Sequence, residues 1–167
     1  MVPFNAIIYL IGFSGTGKYT IAKELIKRQP QLRLVDNHLV NNVLFSLLRK
    51  DNERYPLGTW DRINKLWDIV AETMISLAHP DESFVMTNVL FNNDADRAWY
   101  NRVHSMAEKR KACFVPVVLE CNEEELIRRV VNPDRALRMK LTDPVRLKEW
   151  IGEHTIIDLE HPNKFML

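Results

Sequence analysis

The stretch Ala6-Ile7-Ile8-Tyr9-Leu10-Ile11-Gly12-Phe13-Ser14-Gly15-Thr16-Gly17-Lys18-Tyr19-Thr20 decides the fold. It opens on an unbroken apolar run rich in Ile, Ala6 to Ile11, the composition of a strand covered on both faces, as in a parallel sheet. Beyond it, Ile21, Ala22, Leu25 and Ile26 recur at helical spacing until Pro30 stops the helix. Between strand and helix, Gly12, Gly15 and Gly17 let the backbone curl around an anion, with Ser14, Thr16 and Lys18 completing the cradle. The loop amides and the helix N-terminus then face phosphate, and Lys18 follows negative charge toward the β- and γ-phosphates of a nucleoside triphosphate. A glycine-rich turn with an incidental lysine is the competing reading; the agreement of the spacing with both flanking elements disfavours it. The residue after Lys18, where a short hydroxyl ligand to Mg²⁺ is expected, is Tyr19. A distant phenol does not replace that hydroxyl at the ~2.1 Å that Mg²⁺ demands, so Thr20 is the candidate metal ligand, directly or through water.

Outward from this motif, strand and helix patterns alternate. Leu32 to Val35 predicts a second strand ending at Asp36, and Leu39, Val43, Leu44, Leu47 and Leu48 predict the next helix. Asp51 to Gly58 reads as a loop, and Thr59 as the N-cap of a long amphipathic helix ending near His79-Pro80. Ser83 to Asn88 predicts a third strand, Asp94 to Arg110 a helix with acids at its positive end, and Cys113 to Glu120 a fourth strand. Asn122 followed by Glu123, Glu124 and Glu125 caps a helix running to Val131. The polar, basic stretch 132–151, interrupted by Pro133 and Pro144, predicts short surface helices acting as a lid. Thr155 to Leu159 predicts a short fifth strand, with the break at His161-Pro162-Asn163 after it. Strands alternating with helices, without repeat or linker, predict one α/β domain over 1–167, three layers deep with right-handed crossovers.

Composition narrows the function. With 167 residues, 46% of them hydrophobic, the chain can bury a sizeable core as one domain. Lys and Arg total 23 against 22 acids, a net charge of +1, which gives no basic field and argues against nucleic acid as a partner. No apolar run approaches the roughly 20 residues that cross a bilayer, so no membrane span is expected. The N-terminal apolar run lacks a basic leader and a small-residue cleavage site, and is read as retained in a cytoplasmic protein. Cys113 and Cys121 flank a predicted strand at a separation too long for a disulfide, and two cysteines so placed do not suggest a metal site.

Gly-x-x-Gly-x-Gly-Lys-x-Thr, here Gly12 to Thr20, resembles the P-loop of small nucleoside-monophosphate-kinase-like phosphotransferases, including adenylate, shikimate and gluconate kinases. The run Val115-Pro116-Val117-Val118-Leu119-Glu120-Cys121-Asn122 and the helix after it resemble the fourth strand and following helix of those enzymes. The pattern is most similar to shikimate-kinase-like P-loop ATPases and covers nearly the whole chain, with the P-loop as its specific motif. The resemblance implies a three-layer P-loop NTPase fold, a parallel sheet of about five strands in the order 2-3-1-4-5, and ATP with Mg²⁺ across its carboxyl edge. It also implies an arginine-bearing lid and, near the acceptor hydroxyl, an acid such as Asp36. Two features depart from it: Thr87 and Asn88 stand where an acid is expected at the third strand's end, and no second glycine cluster follows. Shikimate itself is therefore not the implied acceptor. The chain also ends soon after the predicted fifth strand, without room for the closing helix such kinases carry.

The expected reaction is transfer of the γ-phosphoryl group of ATP to a hydroxyl of a small-molecule acceptor. Lys18, Asp36, Arg128 and Arg135 are the candidate catalytic residues: the cations for the transferring phosphoryl oxygens, the carboxylate to position or deprotonate the acceptor. Gly12, Ser14, Gly15, Thr16, Gly17, Lys18, Tyr19, Thr20, Arg129 and Arg138 are expected to hold the nucleotide. Asp36, Asn37, His38, Thr87 and Asn88 are expected to line the acceptor pocket at the strands' carboxyl ends. Plainer roles compete: Asp36 as an N-cap, His38 as a helix-start residue, Thr87 and Asn88 as strand caps, and the arginines as a solvated basic surface. Trp60 and Trp67, seven apart on one helix, read as packing and not as a ligand stack. Two other functions share the same loop: a nucleotide-dependent switch or ATPase acting through a protein partner, and a kinase of nucleotides or nucleic-acid ends.

Overall fold

A computed structural model describes residues 5–51 and 54–167. Strands β1 (Ala6–Ile11), β2 (Leu32–Asp36), β3 (Ser83–Asn88), β4 (Cys113–Val118) and β5 (Phe165–Met166) form one parallel sheet in the order β2-β3-β1-β4-β5. At least 20 residues separate strands consecutive in sequence, and helices fill these connections: α1 (Lys18–Arg28), α2 (Asn37–Phe45), α3 (Thr59–Ser76), α4 (Asp94–Arg110), α5 (Glu123–Val130), α6 (Pro133–Ala136) and α7 (Pro144–Glu153). This is the order that the resemblance implied.

The central strand explains the layering. All of β1 is buried, and its residues alternate between two cores because strand side chains alternate in direction. Ile7, Tyr9 and Ile11 pack with Ile63 and Trp67 of α3 and Tyr100 and Val103 of α4, whereas Ile8 and Leu10 pack with Ala22 of α1 and Val85 and Val117 of the neighbouring strands. A third cluster joins α5 and α7 through Leu126, Val130 and Leu147, with Phe13 of the glycine loop against it. The loop is thus braced from below by the sheet and from the side by α5.

The predicted fifth strand over 155–159 is incorrect. Thr155 to Ile157 instead clip antiparallel onto the segment after β3: Asn92 N–H donates to Thr155 O, Ile157 N–H donates to Leu90 O, and Ile157 is fully buried. The chain then turns at His161-Pro162-Asn163, and Phe165–Met166 pairs with the free edge of β4. The β-branched run looked like the strand because it buries a strand-like face; the true edge strand is only two residues long and exposed. Thr59 also departs from expectation. Gly58, in a left-handed conformation at φ +79°, is the N-cap of α3, and the Thr59 hydroxyl donates back to Pro56 O at 2.7 Å. Among the described residues, no helix is long and apolar enough to cross a membrane.

Candidate active site

The loop between β1 and α1 is shaped by close approach. A Cβ on Gly12 would stand 2.6 Å from Leu119 O, so the strand-to-loop exit admits no side chain. Gly15 sits at φ +100° with the Leu126 carbonyl 3.0 Å from the same hypothetical atom, which ties the loop's crown to the start of α5's last turns. Thr16 closes the bend, its hydroxyl donating to Phe13 O at 2.9 Å. Lys18 turns back over the loop: Nζ donates to Gly12 O at 2.6 Å, Phe13 O at 2.7 Å and Thr16 Oγ1 at 3.3 Å. Burial, then the positive charges of Lys140 and Arg135, push this amine down to about 7, against the pull of Asp36. A lysine so placed gains most from the arrival of an anion.

Asp36 ends β2 in register with Thr87 of β3, which explains their meeting. The Thr87 hydroxyl donates to Asp36 Oδ1 at 2.6 Å and itself accepts the Asn37 N–H at 3.3 Å, so the carboxylate is oriented from the sheet. Lys140 Nζ lies 3.1 Å from each carboxylate oxygen, and both side chains are largely buried. Asp36 occupies the N-cap position of α2 but makes no side-chain capping bond, which leaves its oxygens to Thr87 and Lys140. Burial and the neighbouring Lys140 charge lower the His38 imidazole, while its Nδ1 lies 3.3 Å from Asn42 Oδ1. Asn42 in turn donates to Arg138 O at 2.9 Å, fastening α2 to the 132–143 segment.

One cavity of about 500 Å³ gathers most of the residues expected from sequence: Ser14 to Thr20, Asp36, Asn37, His38, Thr87, Asn88, Arg129, Arg135 and Arg138. Gly12, also expected there, does not line it. Asn88 turns its amide nitrogen to Tyr9 OH at 3.2 Å and its oxygen to Val89 N–H, closing the strand end as it lines the wall. Arg135 Nε donates to Leu141 O at 2.8 Å, which leaves its terminal nitrogens for the cavity, and Arg129 reaches Gly15 O at 3.5 Å.

Arg128 is the exception. Its guanidinium forms a two-point pair with Glu125 at 2.6 Å for each contact, its side chain is 73% exposed, and it does not line the cavity. Glu125 pairs with both Arg128 and Arg129, but of the two only Arg129 also lines the cavity, so the expected catalytic role of Arg128 is withdrawn.

Two features were missed in the sequence. Lys140 joins Asp36 across 104 positions of chain, a pairing that local patterns do not carry. Tyr19 serves as a platform: the Arg138 guanidinium lies 4.4 Å and Lys140 Nζ 4.5 Å from its ring centroid. The large ring in place of a short hydroxyl therefore supports the cations that overhang the loop. Thr20, in the first turn of α1, is exposed on the cavity wall.

No protein-family model matches the chain, and no curated protein matches it in sequence. Solved structures do match in fold. A candidate kinase from Chloroflexus aurantiacus superposes with a TM-score of 0.68 at 17% identity, covering 99% of this chain and 85% of that one. A gluconokinase from Sinorhizobium meliloti superposes at 0.58 and 16% identity, over 98% and 82% of the two chains. Kti12 from Chaetomium thermophilum, solved with ADP-AlF3, superposes at 0.57 and 14% identity, over 96% and 88%. The fold is that of small P-loop kinases.

Proposed function

We propose that this protein is an ATP-dependent phosphotransferase that moves the γ-phosphoryl group to a hydroxyl of a small-molecule acceptor. The observation that carries this reading is the convergence, in one cavity, of a glycine loop with Lys18, an oriented carboxylate at Asp36 and a row of cations from Arg129 to Lys140. Anion cradle, hydroxyl-directed carboxylate and charge-neutralising arginines are the parts that phosphoryl transfer requires. The loop amides and Lys18 bind the β- and γ-phosphates, with Lys18 exchanging its bonds to the Gly12 and Phe13 carbonyls for phosphate oxygens. Asp36, held by Thr87, accepts the acceptor hydroxyl's hydrogen bond and takes its proton as that oxygen bonds to the γ-phosphorus. The bond from the γ-phosphorus to the β–γ bridging oxygen breaks, and ADP leaves with that electron pair. Arg135 and Arg138 offset the charge on the three transferring oxygens, while the 132–151 lid excludes water.

Mg²⁺ would be held largely by phosphate oxygens and water, with Thr20 as the chain's oxygen donor; this sparse, hard donor set fits the ion. When bound, the ion supplies further neutralisation of phosphate charge. The same reading places the protein in the cytoplasm.

The test is ADP release measured with and without candidate acceptors, in wild type and Lys18→Ala. Acceptor-stimulated release lost in Lys18→Ala supports transfer. Nucleotide-dependent capture of a protein partner without acceptor stimulation identifies a switch, and stimulation by oligonucleotide ends identifies a nucleic-acid kinase; either replaces this reading.

A further inference from the structure

A second cavity, about 980 Å³, opens beside the first and shares with it the wall made by Ser14, Asn37, His38, Asn88 and Lys140. All four tryptophans of the chain, Trp60, Trp67, Trp99 and Trp150, line it. They come from three helices, α3, α4 and α7, so the gathering is a property of the fold and not of one amphipathic face.

Core packing accounts for only part of this. Trp67 is buried, its Nε1–H donating to Asn41 Oδ1 at 3.0 Å, and Trp99 meets it edge to face at 5.5 Å. Trp60, in contrast, is 59% exposed, although Phe45 and Tyr55 form a stacked pair beside it at 4.2 Å. Large aromatic faces left in water around a concave space are what a planar ligand requires.

Charge narrows the ligand. Asp96 and Asp143 are the acids of this wall, and both are committed to backbone: Asp96 Oδ2 accepts Phe91 N–H at 2.8 Å, and Asp143 Oδ1 accepts Val145 N–H at 2.8 Å. The cations Lys50 and Arg146 lie against the rings of Tyr55 and Trp150. The wall therefore offers π-faces and a surplus of positive charge, Lys50, Lys140 and Arg146 against the two acids, which repels a polyamine. Its volume sits at the upper end of the roughly 300–1,000 Å³ typical of pockets that enclose drug-sized ligands, well beyond the needs of one small sugar acid.

We infer that the acceptor is a neutral or anionic alcohol built on a planar aromatic body, bound among the four tryptophans with its hydroxyl toward Asp36. Aliphatic polyols and polyamine sugars are the classes this wall disfavours. The assignment rests on the phosphotransferase reading, and it names the shared chemistry of two sources, a nucleoside and a non-nucleoside aromatic alcohol.

Calorimetric titration of the full chain separates the two claims, because it reads binding without turnover. Adenosine and 2-naphthaleneethanol are the aromatic probes; gluconate and kanamycin are the aliphatic and polyamine probes; ADP release is followed in parallel. The expected result is saturable binding of at least one aromatic probe and weaker binding of the other two. Trp60→Ala, at an exposed position, should weaken that binding about tenfold, the order of one aromatic stacking contact, with Trp60→Phe restoring it and the KM for ATP unchanged. Adenosine binding alone assigns the nucleoside source, and naphthaleneethanol binding alone the other. Absence of aromatic binding, equal or tighter binding of gluconate or kanamycin, or an unchanged affinity in Trp60→Ala overturns the inference. Aromatic binding without ADP release keeps the aromatic-ligand site, removes its role as an acceptor site and overturns the phosphotransferase reading.

Discussion

Binding of ATP should draw a proton onto Lys18. In the free protein, burial and two neighbouring cations hold this amine at about 7, far below its ordinary 10.5. A polyphosphate beside Nζ favours the charged form and returns it toward that ordinary value. At pH 8 a group titrating near 7 is about nine-tenths deprotonated, so binding should take up about 0.9 proton, against about 0.5 at pH 7. Affinity should fall about tenfold for each pH unit above 7 until the bound-state value is reached. The assay is calorimetry at pH 8 in buffers of different ionisation enthalpy, where the nucleotide's own phosphates, titrating near 6, are already ionised. The slope of observed heat against buffer ionisation enthalpy gives the proton count, and Lys18→Met should reduce it to zero. The sign for folding is fixed by the same depression. Between about 7 and 10.5 the unfolded chain holds a proton that the folded one has shed, so this group's contribution to stability rises with pH across that window and is lost as pH falls through 7. A zero slope at pH 8 with ATP bound would refute the assignment of Lys18 as a desolvated, phosphate-seeking amine.

The packing and the charge pattern set three further outcomes. Arg138→Ala should raise the KM for ATP about tenfold, by loss of a charge stacked on Tyr19 over the loop, while Arg128→Ala, an exposed residue paired to Glu125, should change kinetics less than about twofold. Steady-state rates on the two variants check both. Ile157→Ala, at a fully buried position clipped to Leu90, should cost about 2–5 kcal/mol in urea unfolding, whereas a true edge-strand position would lose far less.

What the chain discloses from sequence depends on how local the cause is. β1, the glycine loop and α1 are contiguous, and their geometry follows from glycine placement and apolar periodicity, so this strand, loop and helix were readable. Asp36 and Thr87 were readable too, since both end strands whose carboxyl edges face the same side. Arg128 was misassigned because whether a helical arginine reaches inward or pairs with an acid three positions earlier is decided by side-chain geometry. The fifth strand was misplaced because Thr155 to Ile157 satisfy a burial pattern that two exposed residues, Phe165 and Met166, do not. The contact of Lys140 with Asp36 and the gathering of tryptophans from three helices are consequences of tertiary assembly, and no spacing within the chain announces them.

The most direct test of the central claim is a crystal structure with a non-hydrolysable ATP analogue. Phosphate oxygens are expected on the backbone amides of residues 15–20, with Lys18 Nζ moved off the Gly12 and Phe13 carbonyls onto the phosphates. A loop left without phosphate, with Lys18 still bonded to those carbonyls at saturating analogue, would contradict it.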